Sequence, residues 1–392
     1  MEQADVIVVG GGIAGLAAAW HLSRAGASDV CLLEREPLLA SHASGRNAAI
    51  FRHLEHDAEG VALALRSREL LASLGEQEGC RLLRRTGALF LGTQGCLRPM
   101  AELARRFGLA TETVEGAAIG SLVSALAGGD AARGLLVPED GVLDVHALVE
   151  ALARGARAAG TRIRTGAEVS GILEHGGRVT GVRLAGEETI GAGAVVVAAG
   201  AWAAGIGATC GAALPIEPRR RHLAMLAVDE EVPAASPVVW RIDEEVYFRP
   251  EPGGILASPC DEEPWPPGVP PSSPEALVRL TGRLSRLAPG LANGRVRRAW
   301  ACLRSFAPDR GLVAGEDPRR RGLFWVGALG GRGMTCGLAL GEVAAARVCG
   351  RPHPLAAALS PARLLGPRDA RPRDLHHSGI TPARRTRGTD TG

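Results

Sequence analysis

A chain of 392 residues that is 46% hydrophobic is long enough to bury one large core or two domains. Its formal net charge of +3 is matched by residues 366–392 alone, where six Arg face three Asp. The remainder is therefore balanced, which excludes a broad basic face for nucleic acid. All 45 cationic residues other than His are Arg, so lysine chemistry such as Schiff-base formation is excluded as well.

The chain opens on DVIVVGGGIAG, residues 5–15. Residues 5–9 read as a buried parallel strand, because their apolar run does not alternate. Gly10, Gly12 and Gly15 follow in the spacing G-x-G-x-x-G, with Ile13 and Ala14 between them. The first glycine permits a tight turn, the second a close approach of backbone to a pyrophosphate, and the third close packing of the next helix. That helix is predicted over 16–25, with its N-terminal amides favouring a phosphate. A second apolar strand over 30–33 ends at Glu34, placed to accept from ribose hydroxyls, with Arg35 next to it. Together these elements predict an adenine dinucleotide site.

Residues 41–51, SHASGRNAAIF, suit a loop that wraps a ligand. A helix is predicted over 59–74, a short strand over 87–92 and a helix over 100–107. From Gly141 onward the pattern gives a helix over 146–159, a strand over 161–164, and a hairpin of 167–173 with 179–184 turning at Gly176 and Gly177. A buried strand over 194–198 closes at Gly200. Antiparallel strands follow over 219–228, 238–242, 245–249, 255–258 and 295–306, with a proline-rich loop at 264–274 and a helix over 275–287. The chain then returns to a strand over 323–326, a glycine loop over 327–333 and a helix over 338–349. The tail, 366–392, lacks apolar periodicity and is expected to be disordered.

No leader is expected before the first strand, and the most apolar stretch, 190–210, is mostly Gly and Ala, so no membrane span is expected either. The eight cysteines show neither C-x-x-C nor zinc spacing. Free thiols, no metal and a cytoplasmic location follow as expectations.

Several of these stretches belong together. GGGIAG with Glu34 and Arg35, AAGAW at 198–202 and LFWVGALGGRGMT at 323–335 resemble the D-amino-acid oxidase (DAO) family of flavoproteins. The resemblance covers roughly residues 4–365. The pattern is most similar to the D-arginine dehydrogenases and glycine oxidase-like enzymes, through SHASGRNAA, Arg220-Arg221-His222, VYFRPE at 246–251 and WACLRSFAPDRGLVAG at 300–315. It implies an α/β fold: a Rossmann-like FAD-binding domain (1–80, 141–215 and 306–365) and an α+β substrate domain with an antiparallel sheet (81–140 and 216–305).

The resemblance also implies roles for particular residues. FAD would contact the glycine turn, the loop of His42, Ser44, Gly45, Arg46 and Asn47, then Val169, Gly200 and Trp202. Its ring would lie against Gly330, Gly331, Arg332, Gly333, Met334 and Thr335, where a helix N-terminus favours negative charge on the reduced ring. Arg304 matches the arginine that pairs with the substrate carboxylate, a task suited to a planar guanidinium. Arg221 matches a second carboxylate-side arginine, with the register within 219–221 left open. Tyr247, the only tyrosine, matches a hydroxyl that reaches the bound amino acid, and His42 matches a residue near both flavin and substrate. In sarcosine oxidases a cysteine at the spacing of CLRSFAPD carries the flavin covalently. Cys302 is thus either such an anchor or a buried thiol, with non-covalent FAD the main expectation. One departure stands out: the acidic residue that receives a cationic side chain in D-arginine dehydrogenases is replaced by Gly87, flanked by Arg84 and Arg85.

The expected activity is oxidation of the amine of a small amino acid (a D-amino acid, glycine or an N-substituted glycine) by hydride transfer to FAD. The electron acceptor would be a quinone, an electron carrier or O2, and the lack of lysine argues against O2. The alternatives are a flavin subunit of a larger amine-oxidising or cyanide-forming complex, and a non-catalytic dinucleotide-binding protein.

Overall fold

Residues 2–366 are described by a computed structural model. All but the first residue of the expected disordered tail lies outside that range. The first strand, Glu2–Val9, lies parallel to Val30–Leu33 on one side and Thr189–Val197 on the other. Arg162–Arg164 continues the sheet beyond Val30–Leu33, and Leu323–Gly327 pairs with Val195, Val196 and Val197. The N-terminal half of Thr189–Val197 instead carries the hairpin of Val169–His175 and Arg178–Leu184. Val313–Glu316 closes that edge in antiparallel fashion.

Both faces of this sheet are covered, which is why its strands read as continuous apolar runs. Val6 and Val8 pack with helices Ile13–Arg24, Ala58–Glu78, Val145–Ala158 and Gly333–Val348; Ile7 and Val9 pack with the hairpin and Leu214 on the opposite face. Ile7, Val8, Leu16 and Leu32 are each 0% exposed, and each contributes on the order of 1.5–3 kcal/mol by burial. Helices Ile13–Arg24 and Gly333–Val348 cross at Gly341, where a Cβ would lie 2.6 Å from the Ala17 carbonyl carbon.

The second sheet runs in the order Glu263–Pro264, Glu217–Ala227, Gly254–Ser258, Val246–Glu251, Val238–Arg241, Ala88–Leu91, Arg133–Val137, Glu112–Glu115. Arg295–Phe306 pairs along the other edge of Glu217–Ala227. Only Val238–Arg241 and Ala88–Leu91 are parallel. Helix Pro274–Leu287 covers one face, started by Ser273, whose side chain accepts from Ala276 N, and by a proline in the first turn. A small third sheet of Ile50–Phe51, Gly141–Leu143 and Leu83–Arg85 joins chain segments from both parts.

The structure departs from the sequence expectations mainly in element ends. The helix expected over 338–349 is Gly333–Val348, so the last part of the glycine loop is already helical. Gly337 and Gly341 lower helix propensity, but they admit Ile13 and Ala17 at close range and tertiary packing wins. The helix expected over 100–107 starts at Gln94 and contains Pro99. The strand expected over 194–198 starts at Thr189, because Ile190 and Gly191 pair with Val182 and Gly181 of the hairpin on one side and with Glu2 and Gln3 on the other. Strands Glu112–Glu115, Arg133–Val137 and Val313–Glu316 were not foreseen. All eight cysteines are free, and no helix among the described residues is long and apolar enough to cross a membrane.

Candidate active site

Two hollows meet beside the carboxyl ends of the parallel strands, the side on which open α/β sheets hold ligands. The outer cleft is lined by Val9, Leu33, Ala198 and Gly327 at those strand ends. Gly10 adopts φ +110, and a Cβ there would lie 2.6 Å from the Ala198 carbonyl oxygen. At Gly15 a Cβ would overlap the Gly10 carbonyl oxygen, so only glycine lets the helix start so close to the turn. Gly12, Ile13 and Ala14 face the cleft. The Ile13 amide donates to Ser44 Oγ at 2.9 Å, while the amides of Gly12 and Ala14 have no acceptor among the described residues. Two unfilled amides at a helix N-terminus are the donor set a pyrophosphate requires. Glu34 Oε2 accepts from the Gly11 amide at 2.6 Å, which aims the carboxylate along the cleft wall.

The far wall is a polar cluster. Arg35 stacks 4.8 Å from the Trp202 ring, His42 lies 4.6 Å from the same ring, and His42 Nε2 meets Glu36 Oε1 at 2.9 Å. Val169 and Gly200 line the same cleft, as does Arg46, whose Nε donates to Ser41 O at 3.1 Å. The mouth is bordered by Gly268, Val269 and Pro270 of the proline-rich loop.

The inner pocket shares Ile13, Ala43, Ser44, Arg304, Leu329 and Gly330 with the outer cleft. Its charged lining is three guanidiniums, Arg52, Arg221 and Arg304, and no carboxylate among the described residues lines it. Cross-strand register resolves the arginine run at 219–221. Arg221 lies opposite Cys302 and Arg219 opposite Arg304, so period-two alternation sets these four on one face. Arg220 and His222 turn to the other face, where His222 Nδ1 meets Asp261 Oδ2 at 2.6 Å and Arg220 pairs with Glu263.

Arg304 is 7% exposed. Its Nη1 donates to Cys302 Sγ at 2.7 Å and to Leu303 O at 3.1 Å, and Nη2 reaches Arg46 O at 3.5 Å. No carboxylate among the described residues pairs with it. Arg221, by contrast, meets Glu262 at 2.5 Å, and Glu262 also meets Arg310 at 2.6 Å. A Cβ at Gly331 would lie 3.0 Å from Arg221 Nη1, which places that guanidinium beside the glycine loop. Tyr247 lines the pocket next to Trp240, with ring centroids 4.8 Å apart. Burial pushes its hydroxyl up to about 12, so at neutral pH it is a hydrogen-bond donor and not a base. Gly333 and Met334, the first residues of their helix, also face the pocket and turn its positive end inward.

Several expected residues stand beside the hollows rather than on them. Gly15 and Gly45 shape turns, and Thr335 Oγ1 accepts from the Arg52 amide at 3.4 Å. Arg332 points away to Asp57 at 2.8 Å and to the Arg310 carbonyl oxygen at 2.6 Å. Asn47 reaches the inner pocket and His42 the outer cleft alone. Cys302 lines the outer cleft, and its thiol donates to Arg46 O at 3.0 Å. Arg52 and Trp240 escaped the sequence reading. The available signal was a pair of opposite charges three residues apart, Arg52 and Glu55, in FRHLE at 51–55.

Known proteins share the family and the fold. The model of FAD dependent oxidoreductases (DAO) matches residues 5–347. The 4-methylaminobutanoate oxidase (formaldehyde-forming) of Paenarthrobacter nicotinovorans is 27% identical over 352 residues, spanning 86% of this chain but only 42% of that protein. The fold matches an L-proline dehydrogenase from P. horikoshii at TM-score 0.84 and 24% identity, covering 92% of this chain and 98% of the other. It matches glycine oxidase from Geobacillus kaustophilus at TM-score 0.80 and 25% identity, covering 93% and 100%. With the matched stretch running from the first strand to the end of the Gly333–Val348 helix, the chain belongs to the DAO family of FAD-dependent oxidoreductases.

Proposed function

We propose that the protein oxidises the amine of a small amino acid, or of an N-substituted relative, to an imine that hydrolyses to an oxo acid. FAD in the outer cleft supplies the hydride acceptor. The amides of Gly12 and Ala14 would hold its pyrophosphate and Glu34 its ribose, with Val169, Gly200 and Trp202 along the adenine side. Gly330 and Gly331 stand at the junction of the hollows, where the ring would meet the substrate.

One observation carries the reading. Arg304 is a buried guanidinium at that junction without a carboxylate partner among the described residues, and such a cation calls for an anion from the ligand. A carboxylate on Arg304, assisted by Arg221 and by the Tyr247 hydroxyl, fixes the substrate so that its Cα faces the outer cleft. Ile50, Trp240, Leu329 and Met334 give it an apolar wall. No described residue lining the inner pocket is a carboxylate or imidazole, which supports a substrate that enters as the free amine and is oxidised without a protein base. His42 is assigned to the cleft wall through Glu36 and Trp202, not to proton transfer. Cys302 is assigned to orienting Arg304, with FAD held non-covalently. A dinucleotide-binding regulator has no use for this pocket, which favours the enzyme.

The electron acceptor is a quinone or electron carrier, a reading supported by the complete absence of lysine. Under anaerobic conditions the yellow protein should bleach with a subset of amino acids and not with amines that lack a carboxylate. Acid precipitation should release all of the flavin. Bleaching by simple amines as readily as by amino acids would reject the role of Arg304, and no bleaching by any amine would reject the activity.

A further inference from the structure

Arg220 and His222 turn away from both hollows, yet they hold a segment that borders the outer one. Residues 264–273 leave the sheet at Glu263–Pro264, border the mouth of the cleft at Gly268, Val269 and Pro270, and return at Ser273, the cap of helix Pro274–Leu287. Five of these ten residues are proline, which has no backbone donor. From 266 to 272 the segment makes no backbone–backbone hydrogen bond among the described residues. Side chains attach it instead. The Arg220 guanidinium lies 4.1 Å from the Trp265 ring, and its Nη1 donates to the Pro271 carbonyl oxygen at 3.2 Å. His222, 1% exposed, accepts from the Ser273 amide through Nε2 at 2.9 Å, while its Nδ1 faces Asp261 Oδ2 at 2.6 Å. Both ends of the segment are thus pinned, whereas Val269 at its tip is 58% exposed.

We infer that Arg220 and His222 are positioning residues that clamp this strap at the mouth of the outer cleft, and that the strap must lift for FAD to enter or leave. The inference rests on FAD occupying that cleft and not on which amine is oxidised. A segment without main-chain bonds opens at the cost of its few side-chain anchors, so each anchor sets how often it opens. The prolines restrict the backbone of the strap, which favours a stiff flap over a segment that unravels.

The test is the release of FAD from the holoprotein on dilution, followed by flavin fluorescence anisotropy. Iodide quenching of the bound flavin reports in parallel how open the mouth is. Trp265→Ala removes the surface that Arg220 stacks on, and His222→Asn keeps a donor for Asp261 but loses the acceptor for Ser273. Each should speed release by about tenfold or more and raise quenching with it. His222→Gln, which returns an acceptor to the Nε2 position, should recover most of the wild-type rate. Trp265 is half-buried on the strap itself, so that variant decides the matter if the buried His222 variants do not fold. Release unchanged in Trp265→Ala, or equally fast in the Asn and Gln variants, overturns the inference and leaves both residues holding the fold alone. A wild-type protein that takes up no FAD rejects the cleft assignment and this inference together. A flavin that no amine reduces, but whose release responds to the variants as described, rejects the proposed activity and supports the strap.

Discussion

The outer cleft and the inner pocket are built in opposite ways. The cleft depends on main chain at its glycine turn, with glycine positions that admit no side chain and a helix N-terminus presenting amides. The pocket takes its charge from three guanidiniums, which project from segments far apart in the chain. A backbone site recognises what is common to every member of a family, whereas a side-chain site varies as single residues change. On the proposed function, the first hollow would hold the cofactor and the second the substrate.

The largest effect expected is from placing a side chain where the backbone site allows none. Gly15→Val drives a branched side chain into the Gly10 carbonyl oxygen and should cost about 3 kcal/mol of stability, the upper end for overpacking, together with the bound FAD. Gly12→Ala, whose Cβ would meet only Ser44 Oγ at 3.1 Å, should leave the fold intact and weaken FAD selectively. Thermal melts with the flavin-to-protein ratio distinguish the two.

Next comes acid sensitivity on the cleft side. His21, on the helix that follows the glycine turn, has its pKa lowered from 6.5 to about 4, chiefly by burial, with Glu342 opposing. The folded state thus favours the neutral ring, and the unfolded chain takes up the proton first. Stability should fall as pH drops from 6.5 towards 4, by roughly 3 kcal/mol at most. Chemical denaturation across that range should show the loss, and His21→Phe should flatten it.

In the inner pocket, Tyr247→Phe removes one neutral donor and should lower kcat/KM by about tenfold or less. Because that hydroxyl stays protonated up to about 12, the pH profile of the variant should overlay the wild type between pH 6 and 10. Smallest of all should be His42→Gln, with kcat changed by less than about threefold, since His42 faces the outer cleft only. A large loss of kcat with FAD fully bound would return His42 to the catalytic step and erase the division between the hollows.

The same division explains what was legible in the sequence. The strand, glycine turn, helix and Glu34 are encoded within residues 5–34, because backbone geometry is set by local spacing. Arg304 and Tyr247 came from resemblance alone, and the structure brings them onto one pocket with Arg221. Register within Arg219, Arg220 and Arg221 could not be read, because it depends on pairing with Arg295–Phe306, more than seventy residues away. Arg52 was hidden for a related reason. Its meaning lies in contacts with Glu55 and Trp240, and only the first is local. Helix Gly333–Val348 was started too late because its glycines argue against helix, although they are what lets it lie on Ile13 and Ala17.

The central claim is that Arg304 grips a substrate carboxylate at the junction of the two hollows. Its most direct test is anaerobic stopped-flow reduction of the bound flavin by the best amino acid, in wild type and Arg304→Ala, each with full FAD content. The loss in kred/Kd should correspond to about 2–5 kcal/mol, with Arg304→Lys recovering only part because a point charge cannot supply two parallel hydrogen bonds. An Arg304→Ala protein that is reduced as fast and saturates at the same concentration as wild type would contradict the account.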